Sequence, residues 1–232
     1  LQIAAAGGHN ILMVGPPGSG KTLLAKAFSQ LLPPLAEEES IEVTKIYSSV
    51  GLIPPEGSLV RERPFRSPHH TISYAGMIGG GSKPGPGEIT LAHRGVLFMD
   101  EFSEFNRQVL EALRQPMEDG IVTISRSNGS YDFPSKFMLI ASSNPCPCGY
   151  YGHEKVRCNC TLNQIKNYQK KMSGPIMDRI DLSVLVNPVE VQDLSVTNLK
   201  NVSHNNNNPF VEEIFKAREI QKCRFKKTPI FC

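Results

Sequence analysis

Three short apolar runs punctuate the chain, and each ends in glycine or polar residues. "NILMVG" (Asn10 to Gly15), "GVLFMDEF" (Gly95 to Phe102) and "FMLIASSN" (Phe137 to Asn144) have the continuous hydrophobicity expected of strands buried on both faces in a parallel sheet. Between and after them the pattern takes helical spacing. "KTLLAKAFSQLL" carries Leu23, Leu24, Ala27, Phe28 and Leu31 on one side, and Pro33-Pro34 stops it. "LAEEESIEVTKIYSSV" predicts an amphipathic helix with an acidic first turn. "SEFNRQVLEALRQPMEDG" predicts a helix with Val109, Leu110 and Leu113 on one face and its end at Pro116 and Gly120. "IVTISRSNGSYDFP" alternates, turns at Asn128-Gly129 and alternates again, which predicts a β-hairpin. A basic helix in "TLNQIKNYQKKM", a short helix and a strand in "SGPIMDRIDLSVLV" and a further helix from "FVEEIFKAREIQKCRF" complete the pattern. The Pro- and Gly-rich stretch from Gly51 to Gly87 reads as loop with a strand or two, and "NVSHNNNNPF" as a low-complexity loop. Strands alternating with helices predict a three-layer α/β fold around a parallel sheet.

Composition narrows the class only slightly. The 232 residues, 40% hydrophobic, are enough for one substantial domain and part of a second. A net charge of +3 permits nucleic acid as a partner without arguing for it. No apolar run approaches the ~20 residues that span a bilayer. "LQIAAAGGHN" lacks the basic leader of a signal peptide, so a soluble, cytoplasmic protein without a membrane partner is expected. The start at Leu1 and the end at "KKTPIFC" lead us to expect a fragment of a longer protein.

The chemistry concentrates at the ends of the apolar runs. Gly15, Pro16, Pro17, Gly18, Ser19, Gly20, Lys21 and Thr22 match G-x-x-x-x-G-K-[ST], with a strand before and a helix after. Glycines let backbone N–H groups close around phosphates, and the helix N-terminus adds partial positive charge. Lys21 is expected on the β- and γ-phosphates of ATP and Thr22 on Mg2+. The second run delivers Asp100 and Glu101 to the carboxyl edge of the sheet, where ligands bind in such folds. Asp100 is the expected Mg2+ ligand, and Glu101 the carboxylate that polarises the attacking water. Asn144 ends the third run, placed to orient that water or read the γ-phosphate; the plain alternative is a turn-forming Asn before Pro145.

Cys146, Cys148, Cys158 and Cys160 form C-x-C-x9-C-x-C, so four thiolates from one segment are candidates for a structural Zn2+, with His153 inside the loop as a substitute ligand. The alternative is four reduced cysteines in a packed loop. Adjacent His69 and His70 on a strand would face opposite ways, so structural hydrogen bonding is expected rather than joint ligation. The basic run of Arg61, Arg63 and Arg66 reads as a solvated loop, with DNA contact as the lesser reading.

The order of glycine-rich loop, acidic strand and polar strand tip resembles that of AAA+ ATPases. "AAAGGHNILMVGPPGSGKT", "RPFRSPHHTIS", "GGGSKPGPGEITLAHRGVLFMDEF", "LRQPMEDGIVTISR", "NPCPCGYYG" and "SGPIMDRIDL" resemble the magnesium-chelatase-subunit-like AAA+ family of the YifB/ComM type. The resemblance implies a P-loop ATPase core over residues 1–188, with a pre-sensor β-hairpin, and a linker with the incomplete start of a helical lid over 189–232. It implies that Arg179 is an arginine finger reaching a neighbouring subunit's γ-phosphate, in a homo-oligomeric ring, a hexamer by analogy. It makes Arg126, at the hairpin, and Lys83, the only charge in the Gly79–Gly87 loop, candidates to contact DNA at a pore. The implied activity is ATP-driven branch migration of DNA joints in natural transformation. The competing expectation is an ATPase of the protein-remodelling or metal-chelatase kind, acting on a protein partner. Family proteins also carry an N-terminal Lon-like domain and a complete lid with a second sensor arginine, and neither pattern is found in this sequence.

Overall fold

The computed structural model describes residues 1–52, 58–81, 85–126, 129–172, 174–188 and 209–225. The three apolar runs form β1 (Ile11–Val14), β5 (Val96–Met99) and β8 (Met138–Ser143). With β2 (Phe65–Arg66) and β9 (Leu182–Leu185) they make one parallel sheet in the order β2-β5-β8-β1-β9. This is the α/β fold with a parallel sheet that the pattern predicts.

Each inner strand divides its side chains between two cores. Ile11, Met13, Val96, Phe98, Met138 and Ile140 face one way. There they meet Ala4 and Ala5 of α1 (Gln2–Gly7), Ala25 and Phe28 of α2 (Lys21–Leu31), and Ile214 of the C-terminal helix (Pro209–Arg224). Leu12, Leu97, Met99, Leu139 and Ala141 face the other way. There they meet α4 (Tyr74–Ile78), α5 (Glu88–Leu91), α6 (Arg107–Ala112) and the hairpin strand β6 (Ile121–Arg126). Burial on both faces explains why these strands read as continuous apolar runs without alternation. The hairpin has one covered face and does alternate: Val122 and Ile124 are buried, Thr123 and Ser125 exposed. Its second strand, β7, spans Gly129–Pro134. The Asn128 half of the expected turn lies outside the described residues.

Register is fixed by Asn10, at the entrance to β1. Its backbone N–H donates to Asp181 Oδ2 (2.8 Å), its amide NH2 donates to the Arg179 carbonyl (2.9 Å), and its Oδ1 accepts the Leu139 N–H (2.8 Å). The side chain therefore ties the start of β1 to β8 and to the turn that leads into β9.

Two expectations need correction. The single helix expected across 103–120 is a 3-10 turn (Phe102–Glu104), α6, and α7 (Arg114–Asp119). Pro116 does not end it. Pro116 sits in the first turn of α7, where a missing N–H breaks no intrahelical bond, and Gly120 closes the helix in the left-handed region at φ 67. Nor are Arg63 and Arg66 solvated. Arg63 donates to the Pro33 and Arg94 carbonyls (both 2.6 Å) and to Glu39 (2.9 Å), and Arg66 makes a two-pronged pair with Glu88 (2.7 Å each). A planar guanidinium can satisfy several acceptors at once, which lets it staple loops from within. Arg61 alone of the three stays exposed.

The same region holds a buried imidazole. His93, 2% exposed, sits 3.1 Å from Glu42 Oε2 on α3 (Glu37–Ser49), and Arg94 Nε donates to the same oxygen at 2.8 Å. The Arg94 hydrogen bond, against a smaller opposing effect of burial and with help from His93, pulls the Glu42 carboxyl down to about 2. Burial lowers the His93 pKa despite its Glu42 partner. Both folded-state values are depressed. Their contribution is therefore complete above the unfolded-state values, about 6.5 for His and 4.3 for Glu, and is lost as pH falls through the folded ones. Melting temperature should drop between pH 7 and pH 3, and Glu42→Gln should flatten the part of that drop below about pH 4.5. The substitution should also lower the melting temperature at pH 7 by about 2–4 °C, the shift that ~1 kcal/mol produces in a chain of this size. Thermal melts at both pH values check this, and a profile unchanged in the variant would refute it.

Candidate functional site

At the carboxyl ends of β1, β5 and β8 the sheet opens into a cleft of about 400 Å3, lined by residues 17–23, Asp100, Glu101 and residues 142–144. Three segments distant in sequence converge here because their strands are neighbours. The loop from Gly15 to Gly20 leaves β1 and enters α2 through Gly20, the N-cap, at φ 83. That conformation costs an L-residue about 1–2 kcal/mol and glycine little.

Lys21 is buried and folds back on the loop. Its Nζ donates to the carbonyls of Gly15 (2.7 Å) and Pro16 (2.8 Å) and reaches Ser19 Oγ and Asn144 Oδ1 (3.4 Å each). Burial lowers its pKa, and the Asp100 carboxylate offsets part of that loss. Thr22 Oγ1 donates to Asp100 Oδ2 at 3.0 Å. Glu101 adopts a left-handed backbone conformation at φ 54.

Two residues that sequence reasoning missed complete the site. Ser142, fully buried, donates its hydroxyl to Asp100 Oδ1. The clue was a hydroxyl where the apolar run of β8 gives way. His70 places Nδ1 3.0 Å from Glu101 Oε2. Its ring lies 4.1 Å from that of His69 and meets the edge of Phe105 at 6.4 Å. The two histidines thus do not splay to opposite faces, because the segment is a turn and not a strand. Hydrogen bonding accounts for both, His69 pairing with Thr71 Oγ1 at 2.9 Å and His70 with the Glu101 carboxylate.

The remaining candidates lie apart. Arg179 does not line the cleft; its guanidinium pairs with Glu118 at the end of α7 and with the Pro175 carbonyl. Arg126 pairs in register with Gly129 at the hairpin tip. Lys83 lies outside the described residues, between the two-residue strands β3 (Gly79–Gly80) and β4 (Gly85–Pro86). The sulfurs of Cys146, Cys148, Cys158 and Cys160 all lie within 4.8 Å of one another. His153 is turned to the backbone, where its Nδ1 accepts the N–H groups of Lys155 (3.0 Å) and Val156 (3.1 Å).

An ammonium, a helix N-terminus, a hydroxyl and two carboxylates around one cleft suit a phosphate-bearing ligand with a hard divalent cation. The family profile described as "Magnesium chelatase, subunit ChlI" matches residues 1–194. The chain belongs to this family. Among relatives of the magnesium chelatase family, it is similar to YifB of Escherichia coli, 50% identical over 184 residues, which is 79% of this chain and 36% of that protein. It is similar to the competence protein ComM of Haemophilus influenzae, 44% identical over 231 residues, 98% of this chain and 43% of that protein. A magnesium-chelatase subunit ChlI of Euglena gracilis is 26% identical over 157 residues, covering 58% of this chain and 45% of that protein. The chain thus spans less than half the length of these relatives. Among the described residues no helix is long and apolar enough to cross a membrane.

The Ser142 contact yields a prediction of its own. Ser142→Ala removes one hydrogen bond to a carboxylate that keeps other partners, so unfolding free energy should fall by about 1–2 kcal/mol. The urea midpoint should drop with the slope unchanged; an unmoved midpoint would count against the contact.

Proposed function

We propose that this chain is the ATP-hydrolysing core of a ring-forming AAA+ motor that acts on DNA joints. The observation that carries the reading is the convergence of Lys21, Thr22, Asp100, Glu101 and Asn144 on a single cleft. The proposed core is residues 1–188, with 189–232 as linker and the start of a lid, in a cytoplasmic protein.

In the proposed reaction the loop N–H groups from Gly15 to Gly20 and the start of α2 bind the phosphates. Lys21 exchanges the Gly15 and Pro16 carbonyls for phosphate oxygens. The Thr22 hydroxyl and Asp100, 3.0 Å apart and both oxygen donors, fit a Mg2+ ion, which when bound would neutralise phosphate charge. Ser142 holds the Asp100 carboxylate for that task. Glu101 accepts a proton from the attacking water, and His70 orients Glu101 by donating from Nδ1. Asn144 positions the water or the γ-phosphate. Arg179 would serve the nucleotide of a neighbouring copy, for which it must leave Glu118. The four cysteines belong to the same reading as a structural Zn2+ site.

The DNA substrate rests on likeness. ComM is named for competence and aligns with nearly the whole chain. A DNA replication licensing factor, mcm6 of Xenopus tropicalis, is 23% identical over 218 residues. Arg126 and Lys83 are the proposed DNA contacts. The Euglena ChlI likeness favours a second reading, a chelatase-type or protein-remodelling ATPase that works on a protein partner.

ATP hydrolysis by the purified chain, with and without forked DNA, tests the reading. Hydrolysis should rise with DNA and fall by at least roughly a hundredfold in Glu101→Gln. Lys21→Ala should abolish nucleotide binding. Hydrolysis indifferent to DNA would favour the protein-directed reading, and none in the parent chain would overturn the ATPase assignment. His70→Ala should lower kcat roughly tenfold with KM for ATP unchanged, and His70→Gln should recover part of it. A rise in KM instead would refute an orienting role.

A further inference from the structure

The cysteine loop touches the nucleotide cleft on both sides of its first two sulfurs. Before them, Asn144 Oδ1 lies 3.4 Å from Lys21 Nζ. After them, Gly149 packs against Pro17 so closely that a methyl group there would sit 2.5 Å from Pro17 Cδ. Gly149 holds that approach at φ 85, in the left-handed region, and its N–H donates to the Cys146 carbonyl at 2.9 Å. The position of Cys146, 0% exposed, therefore sets the distance of Gly149 from the loop that would cradle the phosphates.

The four sulfurs lie within 4.8 Å of one another, close enough to share one metal ion. Cys146, Cys148 and Cys158 are separated by 3.4, 3.7 and 3.5 Å. Four thiolates about 2.3 Å from one Zn2+ stand about 3.8 Å apart. A disulfide needs about 2.05 Å, and all four cysteines are free. Backbone N–H groups of Tyr151 and Cys160 donate to the sulfurs of Cys146 (3.3 Å) and Cys158 (3.4 Å), hydrogen bonds that would hold ligating sulfurs in place. Four thiols packed this closely share few donors, and four thiolates would repel one another without a cation between them.

We infer that Zn2+ bound by Cys146, Cys148, Cys158 and Cys160 fixes Gly149 against Pro17, so that filling the metal site shapes the phosphate-binding loop. The coupling to nucleotide rests on reading the cleft as an ATP site. Binding exchanges thiol protons for the ion: S–H bonds break, Zn–S bonds form, the protons go to buffer, and no oxidation takes place. Zinc removal should then loosen residues 15–22, because a loop held at both ends loses one of its attachments.

The test uses the full 232-residue chain. Zinc content is measured first, then amide hydrogen exchange of residues 15–22 and ADP binding, before and after extraction with a zinc-selective chelator that spares Mg2+. Gly149→Ala is measured alongside, with far-UV circular dichroism to verify folding. The expected result is about one zinc per chain, roughly tenfold faster exchange in residues 15–22 after extraction, and roughly tenfold weaker ADP binding. Gly149→Ala should keep its zinc and yet show the faster exchange and weaker binding. A chain that binds no zinc overturns the metal site. Zinc present with exchange of residues 15–22 unchanged, both on extraction and in Gly149→Ala, overturns the coupling. Failure of the zinc-loaded chain to bind ADP overturns the nucleotide reading alone, since zinc content and exchange still decide the rest.

Discussion

A strand covered on both faces meets solvent only at its ends. β1, β5 and β8 are such strands, and much of the molecule follows from that. Their side chains are apolar up to the last two residues of β8, since a polar group between two hydrophobic layers would lack partners. Polar chemistry is displaced to the carboxyl edge, where Lys21, Asp100, Ser142 and Asn144 follow or end the strands. The edge is useful only if the strands stop level with one another, which makes register decisive. Asn10 fixes it from the opposite end by binding β8 and the turn that leads into β9. A polar side chain at the foot of the sheet thus governs alignment at its head.

What could be read from the sequence was what is local. The glycine-rich loop and Lys21 are contiguous, and Asp100 and Glu101 follow directly on a strand, so their type and order were plain. Ser142 and His70 were not legible. One depends on the register of β5 against β8, and the other on a turn that returns residue 70 to Glu101. Arg63 and Arg66 were misread because charge alone does not reveal whether carboxylates and carbonyls lie within reach. The break between α6 and α7 was hidden because Val109, Leu110 and Leu113 keep helical spacing across it.

The free cleft is already organised. Lys21 is neither exposed nor waiting unpaired; it is satisfied by loop carbonyls. A ligand that takes over the ammonium must replace hydrogen bonds of similar quality. The gain from binding is thereby reduced, and the loop keeps its shape between ligands. Asp100 is held the same way by Thr22 and Ser142. Preorganisation of this sort lowers the reorganisation that accompanies charge development at the site.

Arg218, on the last described helix, donates twice to the Ala5 carbonyl, at 2.8 and 2.6 Å, across a separation of 213 residues. Closing a contact between positions so remote along the chain carries a loop-closure entropy that local contacts do not. The helix that ends the described chain is thereby joined to the first helix, so the two ends of the described structure share one hydrogen-bonded contact.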